Sequence, residues 1–331
     1  MLALRCHDTS DLTTGLRVEE IPDPEPGPGQ VVVEVRAASV EFVDTLIARG
    51  GYQITLPVPY TPGFNAAGVV REAGPGCTRF RPGDRVHGMV PGAFAELALA
   101  GEGQLRPTPD GLAPDLACLT GTTYRTAYDA LVSTARLRAG EDLVILGASG
   151  AVGSAAITVG KALGARVIAC ASTAGKLEFC RGLGADELVE YTRPDLKQTL
   201  KDVCGGSADV VLDLVGGDFS EPALRATGYG GRFVVVGFAA GSIPRVPLNL
   251  VLLKGSTITG YEIGDFERHH REEAAANRDA LEAMFVDGRV KPPISGRYPL
   301  ADAARAMRVV AGRDKHGMTI LDLAAGAGGI V

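Results

Sequence analysis

A strand that runs straight into glycines and then into a helix, Leu143-Val-Ile-Leu-Gly147-Ala-Ser-Gly150-Ala-Val-Gly153, constrains this chain more than any other segment. Glycines at 147, 150 and 153 let the backbone turn tightly and approach a pyrophosphate, whose charge the first amides of the next helix then face. Gly147, Ser149, Gly150, Ala151, Val152 and Gly153 are therefore the first candidate binding residues. The spacing is GxxGxxG, not the stricter GxGxxG, so the flanking chain has to support it. It does: Leu143–Leu146, Arg166–Ala171, Asp209–Leu214 and Arg232–Val236 read as short apolar strands, with helices over Val152–Leu163 and Gly175–Leu183. Apolar strands alternating with helices pair in parallel through right-handed crossovers, which predicts a doubly wound α/β sheet. A hydrolase elbow at Ser149 is disfavoured, because GxSxG needs Gly where Ala151 stands.

At 331 residues the chain is long for a single core and suits two domains. Before the glycine turn it is β-rich. Gln30–Ala37 is β-branched and follows the breaker Ile21–Gly29, while Ala66–Ala73 and Arg85–Val90 read as further strands between turns. A barrel-like β domain is expected there. After a strand at Thr257–Glu262 come a charged helix, Asp265–Asp287, then Lys291-Pro292-Pro293 and a second helix, Ala301–Ala311, which are expected to return the chain to that first domain. The predicted division is 1–120 with 265–323, a dinucleotide-binding domain over 121–264, and a flexible Gly/Ala tail over 324–331.

Composition removes several function classes. No apolar run reaches the roughly 18 residues that span a bilayer, so no membrane role is expected. A formal net charge of −6 opposes non-specific attraction to nucleic acid, and no nucleic-acid partner is expected. Met1–Asp8 lacks the apolar stretch of a signal peptide, and the six cysteines are scattered without a CxxC pair, which suits reduced thiols in a cytoplasmic protein.

Which dinucleotide binds should be legible at the end of the second strand, where an Asp or Glu would hold the ribose hydroxyls of NAD. That end reads Cys170-Ala171-Ser172-Thr173-Ala174-Gly175-Lys176, with no carboxylate. Hydroxyls followed by a lysine suit a 2′-phosphate, so Ser172 and Lys176 point to NADPH.

Several separate stretches now add up: Ala38-Ser39-Val40-Glu41-Phe42-Val43-Asp44, Pro62-Gly63-Phe64-Asn65-Ala66-Ala67-Gly68, Gly83-Asp84-Arg85-Val86, the glycine turn, Gly182-Leu183-Gly184-Ala185-Asp186 and Pro292-Pro293-Ile294. Together they resemble the quinone oxidoreductase, or zeta-crystallin-like, branch of the medium-chain dehydrogenase/reductase superfamily, from about Val31 to Leu323. The resemblance implies a GroES-like β domain, a Rossmann domain, a cofactor in the cleft between them, and a homodimer whose Rossmann sheets pair edge to edge through Ser256–Tyr261. It also implies that Lys176, Tyr191 and Arg313 surround the 2′-phosphate, and that Thr126, Tyr128, Gly237 and Phe238 lie on the nicotinamide side.

Zinc-dependent members of the superfamily carry an early Cys and a Gly-His-Glu where this chain has Gly63-Phe64-Asn65, so the resemblance implies a reaction without metal. His269-His270 is the one cluster that suggests a metal, yet adjacent helical histidines point roughly 100° apart and read as a solvated face. The implied activity is NADPH-dependent hydride transfer to a quinone, which is electrophilic enough to need no Lewis acid. Tyr52 is the candidate donor to the developing oxyanion, and Asp44 matches a family position near the cofactor. Glu41 stands where family members commonly carry Asn, and is expected either to point elsewhere or to hold a proton. Two alternatives stay open: reduction of an enone, alkenal or enoyl thioester in the same site, and a non-catalytic, crystallin-like NADPH-binding protein.

Overall fold

The computed structural model describes residues 1–324, so the expected tail falls outside the described residues except for Ala324. The chain forms two compact units, Met1–Thr122 with the segment from Ile294 onward, and Thr123–Pro293. In the first, β1 (Leu2–Cys6) pairs antiparallel with β2 (Leu16–Glu20). A seven-stranded sheet comes next, built from β3 (Gln30–Val40), β4 (Asn65–Ala73), β5 (Arg85–Met89), β6 (Leu97–Gly101) and β7 (Leu105–Pro107), and completed by two strands from the end of the chain. Its alternating Val31, Val33 and Val35 point into one core with Leu4, Val70, Val86, Phe94 and Leu105, which is why the β-branched run expected near residue 30 sits at the centre of the sheet. Helix α1 (Phe42–Ile47) starts directly where β3 ends, and α2 (Pro114–Ala117) has Pro at its first position.

The second unit opens with α3 (Thr123–Asp129), which runs on into a π-helical turn over Ala130–Thr134. Then β8 (Asp142–Leu146), α4 (Ala151–Ala162), β9 (Arg166–Ala171), α5 (Ala174–Gly182), β10 (Glu187–Glu190), α6 (Leu196–Val203), β11 (Ala208–Asp213), α7 (Ser220–Ala226), β12 (Thr227–Val235), α8 (Asn249–Lys254) and β13 (Thr257–Gly260) alternate along the chain. All six strands are parallel in the order β10-β9-β8-β11-β12-β13. This is the doubly wound Rossmann order, with its switch point between β8 and β11, where the connections leave in opposite directions.

The helices after β13 correct the expected boundary at 265. The single charged helix expected over Asp265–Asp287 is two helices, α9 (Ile263–His269) and α10 (Arg271–Val286), broken at His270 (φ −130°, ψ 48°). Both belong to the second unit, and the chain returns to the first only at Ile294. The cause is a buried polar hub on α3. Fully buried Asp129 accepts hydrogen bonds from the Tyr261 phenol (2.9 Å) and from Asn277 Nδ2 (2.8 Å), while Phe285 meets Tyr124 edge-on at 4.8 Å. Strands β14 (Ile294–Tyr298) and β15 (Met318–Asp322), with α11 (Ala303–Ala311) between them, then complete the first unit's sheet, β15 lying against β3.

Candidate functional site

The glycine turn lies at the carboxyl end of β8, next to the switch point where open parallel sheets bind ligands. Gly147 has φ +79°, and a Cβ there would meet Val215 Cγ2 at 2.8 Å. At Gly153 a Cβ would lie 2.3 Å from the Gly147 carbonyl oxygen, so the first turn of α4 can sit on the loop only as glycine. Gly150 differs: it is extended (φ −70°, ψ 175°), and a Cβ would find nothing nearer than 3.5 Å. The packing of the loop therefore does not require glycine there. By helix geometry the amides of Ala151, Val152 and Gly153 have no acceptor within α4, while the Gly150 amide closes the turn on the Gly147 carbonyl at 3.1 Å around buried Ser149. Donors in that arrangement fit a pyrophosphate.

Three of the four residues expected around a 2′-phosphate come together beside it. Lys176 Nζ donates to Ser172 Oγ at 3.3 Å, and the Tyr191 side chain lies close enough to Ser172 for the serine to lower its pKa against the effect of burial. Burial pushes that phenol above its ordinary pKa, so it remains a donor at neutral pH. Ser172 follows β9 directly, Lys176 stands on the first turn of α5, and the Tyr191 amide bonds the Ala171 carbonyl, which fixes their common origin at the ends of β9 and β10. Arg313 is exposed on the segment after α11, in the first unit. Gly237 and Phe238 follow β12, where the amides of Val236 and Gly237 bond the Asp213 carbonyl at 2.9 and 3.3 Å; Phe238 is 42% exposed. Thr126 and Tyr128 are buried on α3, which meets α4 through the Tyr124 and Thr158 hydroxyls at 3.1 Å.

Sequence reasoning missed Asp213. Its carboxylate, 1% exposed, accepts the amides of Val215 and Gly216, both at 2.9 Å, and the Ser220 hydroxyl at 2.6 Å. It therefore pins the loop that packs on Gly147. The available signal was a carboxylate closing an apolar strand immediately before Val215-Gly216-Gly217.

On the first unit, Glu41 and Asp44 sit together at the start of α1. The Glu41 amide donates to Asp44 Oδ2 at 2.7 Å, and the Ser39 hydroxyl donates to Glu41 Oε1 at 3.2 Å. Both side chains are buried, and Asp44 Oδ1 has no hydrogen-bond partner among the described residues. Burial first, then the neighbouring Glu41 charge, push the Asp44 carboxyl well above the usual carboxylate range, against one hydrogen bond from the Glu41 amide. Asp44 is thus a group driven toward protonation that the sequence had not suggested. Tyr52 is half-buried in the segment after α1.

A raised Asp44 pKa means the folded chain binds that proton more tightly than the unfolded chain does. Its contribution is fully present below the unfolded value of about 3.9 and is lost as pH rises through the folded value. Asp44→Asn keeps an acceptor for the Glu41 amide but cannot ionise. The melting temperature of Asp44→Asn relative to wild type is expected to climb as pH is raised from about 4 to 8. A difference that stays constant over that range would show that Asp44 does not titrate abnormally.

Among the described residues no group of three or more His, Cys, Asp or Glu is placed to hold a metal ion. His269 Nδ1 lies 2.8 Å from the Asp265 carbonyl and His270 Nδ1 3.8 Å from Glu273, both on an exposed face. The six cysteines are free thiols, and among the described residues no helix is long and apolar enough to cross a membrane.

Comparison with known proteins agrees with this geometry. A family model described as alcohol dehydrogenase GroES-like domain matches residues 27–110, and one described as zinc-binding dehydrogenase matches 151–279. Quinone oxidoreductase-like protein 2 of Bos taurus is 33% identical over 318 residues, covering 95% of this chain and 91% of its own. The crystal structure of Escherichia coli quinone oxidoreductase complexed with NADPH superposes with a TM-score of 0.87 at 27% identity, over 97% of this chain and 100% of that one. The quinone oxidoreductase of Thermus thermophilus, also solved in complex with NADPH, gives 0.83 at 29% identity, over 98% and 100%. The chain belongs to the zinc-independent quinone oxidoreductase, or zeta-crystallin-like, branch of the medium-chain dehydrogenase/reductase superfamily.

Proposed function

We propose that the protein oxidises NADPH and reduces a quinone, without a metal ion. The observation that carries this reading is the meeting of Ser172, Lys176 and Tyr191 at a strand end that lacks the carboxylate NAD would need. Two relatives of the same fold are described as quinone oxidoreductases in complex with NADPH. Bound NADPH supplies the hydride, so that quinone, NADPH and one proton give hydroquinone and NADP⁺. The amides of Ala151, Val152 and Gly153 hold the pyrophosphate, and Ser172, Lys176 and Tyr191 hold the 2′-phosphate by charge-assisted bonds. Thr126, Tyr128, Gly237 and Phe238 wall the nicotinamide side. Tyr52 donates to the quinone oxygen as it becomes anionic, and a proton follows from water. Burial and the neighbouring Glu41 charge favour the neutral form of Asp44, which reduces the negative charge that would oppose a hydroquinone anion.

A cytoplasmic homodimer is the proposed working form. Free cysteines suit a reducing compartment, and β13 closes the Rossmann sheet with an outer edge that no described strand pairs. Steady-state oxidation of NADPH and NADH against a benzoquinone, a simple enone and a crotonyl thioester, with light scattering on the same preparation, tests both ideas. Quinone turnover with NADPH by a species of twice the chain mass is expected. Turnover confined to the enone or thioester would reassign the substrate, binding without turnover would favour a non-catalytic role, and a monomer at micromolar concentration would remove the dimer.

A further inference from the structure

We infer that Phe219 sets the preference for a 2′-phosphorylated dinucleotide by holding the ring of Tyr191 in place, an inference that rests on reading Ser172, Lys176 and Tyr191 as the 2′-phosphate site. The Tyr191 and Phe219 rings lie 4.5 Å apart with their planes inclined at 48°. Both pack, half-buried, on the core formed by Cys170, Val189 and Leu196. Tyr191 therefore has an aromatic neighbour on one side, while its amide is tied at 3.2 Å to the carbonyl of Ala171, the residue before Ser172. Phe219 is itself fixed. It ends the short turn Gly217–Phe219, and the next residue, Ser220, bonds the buried Asp213 carboxylate at 2.6 Å. The same carboxylate holds the amides of Val215 and Gly216, so the turn carrying Phe219 is tied to the end of β11. A line of contacts thus runs from Asp213 through Ser220 and Phe219 to the ring of Tyr191, whose backbone is tied beside Ser172 and Lys176.

A phenol on one aromatic ring rotates about two side-chain bonds, and only a fixed ring keeps its O–H aimed at the position Lys176 shares. The contact that Phe219 makes toward the proposed phosphate site is with the ring of Tyr191, so it acts as a positioning residue for the phosphate. A residue that only filled the core would, when cut back, weaken both dinucleotides together.

Dissociation constants for NADPH and NADH, read from nicotinamide fluorescence without substrate, separate these roles in wild type, Phe219→Leu, Phe219→Tyr and Ser220→Ala. Phe219→Leu is expected to weaken NADPH about tenfold and NADH less than about twofold, since an aromatic pair contributes an amount of that order. Phe219→Tyr retains the ring and should retain both affinities. Ser220→Ala leaves both rings intact but loosens the turn, and the loss is expected to be about threefold larger for NADPH than for NADH; it carries the test if Phe219→Leu does not fold. Equal losses for the two dinucleotides, or an unchanged NADPH affinity in folded Phe219→Leu or in Ser220→Ala, would overturn the inference while leaving the 2′-phosphate site standing. A wild type that binds NADH as tightly as NADPH would remove the site and the inference together.

Discussion

Lys176→Ala is expected to raise the dissociation constant for NADPH by about 10- to 100-fold, the range for losing a hydrogen bond to a charged group, while NADH changes by less than about twofold. The argument rests on what distinguishes the two dinucleotides. Only NADPH carries the dianionic 2′-phosphate, and Ser172, Lys176 and Tyr191 are the residues proposed to meet it. Tyr191→Phe removes one neutral donor and should cost about 3- to 10-fold on the same side. The converse substitution is sharper. Ser172→Asp places a carboxylate directly after β9, where it can accept two ribose hydroxyls but repels a phosphate, so the preference is expected to reverse. Raising salt should erode the wild-type NADPH advantage and leave NADH nearly untouched, because the discriminating contact is ionic and half-exposed. Equal losses for the two dinucleotides in Lys176→Ala would mean that the lysine supports the fold of α5 and does not recognise phosphate.

The residues legible in the sequence are those whose role is written by local geometry. Gly147 and Gly153 stand in a strand-turn-helix whose backbone cannot accept a Cβ, so steric need shows in the string itself. Ser172 and Lys176 were legible through the missing carboxylate at a strand end that periodicity had already located. Asp213 and Phe219 were not, because their partners depend on which strand lies beside which, and a single sequence does not carry that pairing. The placement of α9 and α10 failed for a related reason. An amphipathic helix reads alike whichever core it faces, and the decision here falls to Asn277 reaching Asp129 across a long stretch of chain. The break at His270 has neither Gly nor Pro to announce it. The upward shift of the Asp44 pKa was not readable, since it follows from burial beside Glu41.

Gly150→Ala and Gly153→Ala should separate two uses of glycine within one turn. At Gly153 the new methyl would lie 2.3 Å from the Gly147 carbonyl oxygen and 2.7 Å from Ala148 Cα, both backbone atoms that no rotamer change can move. Either the loop or α4 has to shift, at a cost of about 1–3 kcal/mol for overpacking of this kind. Its melting temperature should therefore fall, and both dinucleotides should weaken by about 100-fold or more as the amides of the first turn leave their positions. Gly150 has a backbone open to alanine and no contact closer than 3.5 Å, so Gly150→Ala is expected to melt within about 1 °C of wild type. Its methyl projects instead into the space the pyrophosphate needs, and both dinucleotides should lose about 10- to 100-fold in affinity without any change in their ratio. Thermal melts and fluorescence titrations on the two variants read these quantities directly. Wild-type affinity in Gly150→Ala would show that the pyrophosphate does not approach the loop there, and a wild-type melt in Gly153→Ala would show that α4 does not need its close seat on Gly147.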